Sequence, residues 1–479
     1  MVVVPQADLL AAKLHSKYQP QAEADRYIEA LNIRQDAGYF ILIEPGLGYL
    51  VHALKNSRPE GKAVILHADS CFRQTDICPG VPAWYPDSGT GVQEFLENEI
   101  PDTGSIQIIE WKHSVRVFGD VYLNLVREST DFIKRAAASR RTSAAFGKRW
   151  VRNFFRNLII LNNTLLYKTT DMPVLITGSG PSLEATLPKI LECREGLFII
   201  AASSSLPALA SGGINPDMVI STDGGGWALL HLHACFRESP AFLPQSKKLA
   251  IALTAAIPSQ CSALSVLPIS DGSLWQSMAL NAVGVPSVYI PQRGTVTASA
   301  LELAMVLSNG NIFLAGMDLS VNGIRSHARP YGFDHLFFGG ASRFRPVYSQ
   351  LFSRSSDIKA GGSHDVYAAW FNSRLASWPK RIFSIGSSHA AFENRLPESS
   401  TGGGKNHDGI FKVISVKGPA DNRRKLALDT LIAALCNPQY STTLAGELAP
   451  LLFPSQTNVT EGEIADALYR IAGRGEGSG

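Results

Sequence analysis

This sequence is poor in cysteine, in net charge and in long apolar runs, and each shortage removes a class of protein. Six cysteines among 479 residues (Cys71, Cys78, Cys193, Cys235, Cys261 and Cys436) stand far apart, with no CxxC pair and no Cys/His cluster. That spacing excludes a zinc ribbon or a disulfide framework and reads as reduced, mostly buried thiols. Formal net charge is only +3, with Lys and Arg spread along most of the chain, so the overall balance calls for neither nucleic acid nor an anionic membrane. No apolar run reaches the roughly 18 residues that a membrane span needs. The opening MVVVPQADLLAAKL also lacks a basic segment followed by an apolar one, as a secretory signal would have. The expectation is a cytoplasmic globular protein, in which Asn458-Val459-Thr460 is a glycosylation sequon by letter only. A D-x-D triplet is missing as well.

What is present is 45% hydrophobic residues over a length sufficient for two or three domains. Residues 1–120 hold an apolar strand from Tyr39, a Gly46-Leu47-Gly48 turn and a helix, then apolar strands at 63–67 and 106–111. This pattern predicts a small Rossmann-like α/β domain. Its turn would cradle a cofactor, with Asp69 reaching a ribose, or would serve packing alone; the third glycine of the dinucleotide fingerprint is missing. Residues 121–170 read as a helical connector carrying eight basic and no acidic residues between Lys134 and Arg156, either a solvated face or a docking surface. Trp150, Phe154 and Leu158 recur at i+4 and demand a packing partner.

Residues 171–395 alternate short apolar strands (174–177, 197–201, 218–221, 249–253, 288–290 and 312–315) with helical stretches. The fold class expected is therefore α/β, a mostly parallel sheet covered on both faces. Residues 396–479 read as a linker with the run Gly402-Gly403-Gly404, then a helical C-terminal region ending in a disordered Gly475 to Gly479. Ligands of such sheets bind beyond the carboxyl ends of the strands. The first such turn is Gly178-Ser179-Gly180-Pro181-Ser182-Leu183-Glu184, where the glycines permit close backbone approach and the amides of a helix start attract anions. A phosphate or an unliganded structural turn would each satisfy this pattern.

The segment Gly178 to Glu184 resembles the opening motif of the motility accessory factor (Maf) flagellin glycosyltransferases and of the bacterial sialyltransferases. Further segments resemble the Maf pattern in order: Phe146 to Leu158, Pro216 to Asp223, Gly294 to Ala304, Ala315 to Ser320 and Ser326-His327-Ala328. Gly46-Leu47-Gly48 has a counterpart there too. The resemblance implies a sialyltransferase-like catalytic domain and transfer of a nonulosonic (sialic-acid-like) sugar from a CMP-activated donor to serine or threonine of flagellin, with no cofactor or metal.

By that resemblance Gly178, Ser179, Gly180, Pro181 and Ser182 line the donor, as do Ser203, Asp223, Thr295 and Thr297. Ser203, Asp223 and Thr295 would equally serve as helix caps. Asp318 would organise the site by accepting hydrogen bonds. His327, or else His335, would be the general base, at an ordinary pKa near 6.5. The positions where sialyltransferases carry phosphate-binding tyrosines hold Ser320, Val321 and Asn322, with Tyr331, Arg325 and Arg329 as available substitutes. Alternatives in the same superfamily are pyrophosphate transfer, as in 6-hydroxymethylpterin diphosphokinase, and sialyl transfer to surface glycan. A non-catalytic flagellin-binding factor is the remaining one.

Overall fold

The structure, a computed structural model, describes residues 6–75, 78–100, 105–238, 248–292, 294–361, 363–375, 378–386, 388, 390–397, 409–456 and 458–473. The glycine run Gly402 to Gly404 and the tail Gly475 to Gly479 lie outside the described residues. The chain divides into two compact units, 1–143 and 144–479.

The first unit holds α1 (Gln6–Leu14), α2 (Pro20–Ala30), β1 (Tyr39–Ile43), α3 (Tyr49–Ser57), β2 (Lys62–Leu66), β3 (Ala83–Trp84), α4 (Val92–Glu99) and β4 (Ile106–Glu110). Its parallel sheet has the order β3-β2-β1-β4. Alternation along β1 explains its two covers. Phe40 and Leu42 pack with Leu50 and Leu54 of α3, while Ile41 and Ile43 pack with Leu96 of α4. Helix α5 (Lys112–Ile160) follows, broken at Gly119 by φ 49°, ψ −119°, and the division between the units falls within it.

The second unit is built on β5 (Asn163–Tyr167), β6 (Val174–Thr177), α6 (Leu183–Glu192), β7 (Phe198–Ala202), α7 (Leu206–Ser211), β8 (Met218–Ser221), α8 (Gly226–Glu238), β9 (Lys248–Ala252) and β10 (Ser265–Ser270). It continues through α9 (Leu274–Ala282), β11 (Val288–Tyr289), α10 (Val296–Leu307), β12 (Ile312–Ala315), α11 (Asp334–Gly339), α12 (Val347–Gly361) and α13 (Ser363–Arg374). Last come β13 (Ile382–Ile385), β14 (Phe411–Ser415), α14 (Ala420–Leu435), α15 (Ser441–Leu452) and α16 (Glu461–Gly473). The described strands form a sheet of order β13-β12-β6-β7-β8-β9-β10-β5-β14, with β11 on β10. All pairings are parallel except β14 with β5.

The expected two-sided sheet is present. Leu175, Ile199, Val219, Leu249 and Ile251 face a core shared with Val151, Phe154 and Leu158 of α5 and with Leu431, Leu448 and Leu468 of the C-terminal helices. Their strand neighbours Val174, Ile176, Ile200, Ile220 and Ala250 face the opposite core, with Leu301 and Leu303 of α10 and with Trp370 and Phe371. Each fully buried leucine contributes about 1.5–3 kcal/mol of transfer free energy, which fixes the heads of α6 and α10 relative to the strand ends.

Helix α5 also latches two loops. The Asn153 side-chain amide donates to the Thr254 carbonyl at 2.9 Å, and that of Asn157 to the carbonyls of Leu253 and Ala255 at 2.7 and 2.8 Å. Trp150 lies where a side chain on Gly224 would have to stand.

One sequence expectation is corrected. Among the described cysteines only Cys193 and Cys261 are buried, and Cys436 is exposed, because it sits at the end of α14 beyond that helix's core stripe.

Candidate functional site

The strand order reverses at β6. From there the chain steps outward through β7, β8, β9 and β10, then returns to lay β12 on the other side of β6. Loops that leave the carboxyl ends of β6 and β12 run to opposite sides, and the crevice between them is where doubly wound sheets bind ligands. A cleft of about 670 Å³ opens there, lined among others by Ser182, Thr186, Lys189, Asp318, Asn322 and Gly386.

Backbone approach explains the glycines of the β6 turn. The Gly180 amide donates to the Gly316 carbonyl at 2.7 Å. A Cβ on Gly178 would stand 2.5 Å from that carbonyl oxygen, and one on Gly180 2.7 Å from both the oxygen and the Asp318 carboxyl carbon. Gly316 itself has φ +63°, a conformation glycine adopts freely.

Asp318 lies at the head of α6. Its carboxylate accepts from the Ser182 amide at 2.7 Å and from the Ser182 hydroxyl. Burial raises its pKa above the ordinary carboxylate range, and the two Ser182 bonds pull it back. The expectation of free amides at this turn is therefore corrected in part. The Gly180 and Ser182 amides are occupied by groups of the chain itself, and the negative charge at this helix start is the protein's own.

The loop after β12 is stitched to the same turn. Ala328 donates its amide to the Ser179 carbonyl at 2.8 Å, and Arg329 donates its amide to Glu184 Oε1 at 2.8 Å. The Arg325 guanidinium also reaches Glu184 at 3.1 Å. These bonds bring His327 to the switch point. It is partly buried, its Nδ1 lies 2.9 Å from Ser326 Oγ, and its ring stacks on Tyr331 with centroids 4.1 Å apart.

Burial, followed by the charges of Arg354, His231 and His364, pushes the His327 pKa down to about 3. The ordinary value expected from sequence does not survive folding, because the imidazolium would lose water and face like charge. His335 is exposed on α11.

Of the other expected residues, Ser203 is buried and Ser204 is the serine that reaches the turn, donating to Ser179 Oγ at 3.0 Å. Thr295 caps α10 by accepting from the Ala298 amide at 3.1 Å, while Thr297 Oγ1 lies 3.4 Å from where a Gly178 Cβ would be. Asp223 is exposed beyond β8 and accepts from the Gly225 amide at 2.7 Å. It also raises the pKa of Tyr367, after burial.

Several residues here carry no sequence signal. His231 of α8 is buried, stacks on Phe333 at 4.4 Å and has its pKa pushed down to about 4, first by burial and then by Arg354. The Arg354 guanidinium of α12 lies 6.0 Å from the centre of the Tyr331 ring.

In the first unit, Gly46 and Gly48 both have positive φ. The loop they form is tied by the Leu47 amide to His15 Nε2 at 2.9 Å, and the Asp69 carboxylate accepts from the Cys71 amide at 2.8 Å. A cavity of about 140 Å³ beside them is lined by His67, Phe72, Arg73 and Tyr85 among others.

Residues 148–323, which run from α5 past Asp318, match the family model described as "6-hydroxymethylpterin diphosphokinase MptE-like". Three proteins of Treponema pallidum (strain Nichols), each named only as an uncharacterized protein, are similar to it. One is 30% identical over 307 residues, covering 63% of this chain and 65% of the relative. A second is 24% identical over 368 residues (70% and 61%), and a third 38% identical over 81 residues (16% and 39%). The chain thus spans less than two thirds of each of these relatives. Among solved structures, the Maf glycosyltransferase from Magnetospirillum magneticum AMB-1 overlaps 98% of this chain and 79% of its own, at 14% identity and a TM-score of 0.47. Among the described residues, no helix is long and apolar enough to cross a membrane.

Proposed function

We propose that this protein is a cytoplasmic O-glycosyltransferase that moves a nonulosonic acid from a CMP-activated donor to serine or threonine of flagellin. The observation that supports it most is the meeting of three elements at the β6/β12 switch point: the Gly178 to Ser182 turn, Asp318 and the loop bearing His327. The cleft of about 670 Å³ has the volume of a small-molecule site. The ordered segments that resemble Maf proteins supply the choice of donor and acceptor.

In this reading the donor lies in the cleft, which Ser182 lines, while Ser179 and Thr297 are assigned to the donor by the Maf resemblance alone. If the His327 Nδ1–H donates to Ser326 Oγ, Nε2 is the unprotonated atom and takes the proton of the acceptor hydroxyl. The acceptor oxygen bonds the anomeric carbon as the bond from that carbon to the phosphate oxygen breaks, and CMP leaves with the electron pair. Asp318 is a positioning residue that holds the turn. An imidazole with a pKa of about 3 is a weak base, so the bound donor's negative charge is needed to raise it toward neutrality.

A second reading is favoured by the family model that matches the centre of the chain: pyrophosphate transfer from ATP to a pterin alcohol. Calorimetry separates the two. CMP binding without added magnesium supports sugar transfer. No CMP binding, together with magnesium-dependent consumption of ATP and 6-hydroxymethylpterin, supports the second reading. Binding of neither nucleotide would leave a flagellin-binding factor.

A further inference from the structure

Around Tyr331, four elements of the second unit bring cationic and imidazole groups together. The His327 ring stacks on one side of Tyr331, and His231 of α8 lies 5.4 Å away, held by stacking on Phe333. Arg354 of α12 spans the rings of Tyr331 and Phe337, at 6.0 and 5.6 Å from their centres. His364 of α13 is near enough to affect the charge of His327.

Among the described residues, one buried polar atom here lacks a partner, and one cation has a neutral partner but no counter-ion. His231 is 9% exposed and its Nδ1 has no hydrogen-bond partner. Arg354 is partly buried, yet among the described residues no carboxylate forms an ion pair with it. Arg325 and Arg329, on the same loop as His327, are by contrast paired with Glu184 and Asp334. A half-buried guanidinium without a counter-ion is unfavourable unless a ligand supplies the charge.

We infer that Arg354, His231 and His327 form an oxyanion-binding site that takes a phosphate or carboxylate group, distinct from the α6 turn whose charge Asp318 already supplies. The site rests on the sugar-transfer reading only for its use, since a CMP donor carries both a phosphate and a sugar carboxylate. Occupation would neutralise the Arg354 charge that faces both imidazoles. That removes one cause of the low His327 pKa and makes the base competent only when the anion is present. Among the described residues, the groups that act on His327 are Ser326, Tyr331, Arg354, His231 and His364, none of them a carboxylate; the Asp334 carboxylate accepts from the Tyr331 amide and pairs with Arg329.

The test uses the full chain with ring-labelled histidines and inorganic phosphate, at ionic strength held constant with chloride. Phosphate should shift the His327 and His231 resonances and raise the apparent pKa of His327 by about one unit or more. In Arg354→Gln the phosphate affinity should fall about 10- to 100-fold, the usual loss for a charge-assisted pair. An unperturbed His327 in the wild type, or unchanged phosphate affinity in folded Arg354→Gln, overturns the site. If that variant does not fold, the wild-type titration alone decides. CMP as a second probe separates the two proposals: phosphate binding without CMP binding refutes the donor assignment and keeps the anion site, and CMP binding with no phosphate-induced shift of His327 does the reverse.

Discussion

Replacing Asp318 probes the α6 head most sharply, because one carboxylate there receives two bonds from one residue. Asp318→Ala removes the acceptor of both the Ser182 amide and its hydroxyl. Bonds to a charged group are worth about 1.5–3 kcal/mol each, so the gross loss is about 3–6 kcal/mol. Two effects reduce it. Asp318 is 6% exposed and its pKa is raised by burial, so deleting it relieves a desolvation cost, and Ser182 borders an open cleft where water can replace one bond. The expected net destabilisation is about 2–3 kcal/mol for Asp318→Ala and about 1–2 kcal/mol for Asp318→Asn, which keeps one acceptor.

Calorimetric unfolding of the wild type, Asp318→Ala, Ser182→Ala and the double variant forms a cycle whose coupling should be about 1–2 kcal/mol. The same transition must be compared in all four, since a chain of two units need not unfold in one step. A coupling within about 0.3 kcal/mol of zero would show that the carboxylate does not hold the turn.

Gly180→Val should lower both stability and CMP affinity, because its Cβ would enter the space of Asp318 and the Gly316 carbonyl; calorimetry reads both, and unchanged CMP affinity moves the donor elsewhere. His327→Ala should lose about 10²- to 10⁴-fold in turnover while CMP affinity stays within a few-fold, and near-normal turnover would acquit His327. His327 and His231 have folded pKa values below the unfolded one. Their stability contribution is therefore complete above about pH 6.5 and is lost as pH falls toward 4 and 3, with a slope of up to about 1.4 kcal/mol per pH unit per group. The melting temperature should fall over that range, and a profile no flatter in His231→Gln would remove that residue from the account. Asn157→Ala leaves the carbonyls of Leu253 and Ala255 unpaired next to a buried side chain and should cost about 2–4 kcal/mol, read by the same calorimetry.

Much of the sheet is legible because its strands are short, fully buried and β-branched. Val174–Thr177, Met218–Ser221 and Ile312–Ala315 are found where periodicity puts them. Others escape for physical reasons. Strand β10 contains Pro268 and ends in serine, so it lacks an apolar run, and β5 follows α5 after only Leu161 and Asn162, too short a break to separate it from the helical pattern. Strand β14 pairs at the sheet edge, where none of its five residues is fully buried, and its apolar residues Phe411, Val413 and Ile414 are too few to mark a strand by pattern.

At the site, the glycines and Asp318 are readable because close backbone approach admits few residue types. Ser204 is a case of one-residue ambiguity, since the turn after β7 decides which of three consecutive serines points outward. His231 and Arg354 belong to α8 and α12, far from any strand end in sequence, and only tertiary packing brings them to Tyr331. For the same reason the depressed pKa of His327 could not be foreseen: its main cause is burial by residues that no local pattern links to it.

The central claim is tested most directly by the intact mass of flagellin from cells with and without this gene. Transfer of a nonulosonic acid predicts a flagellin lighter by whole numbers of that sugar residue when the gene is absent, with the mass restored by the wild-type gene and not by His327→Ala. Identical flagellin masses in the two strains would contradict the assignment.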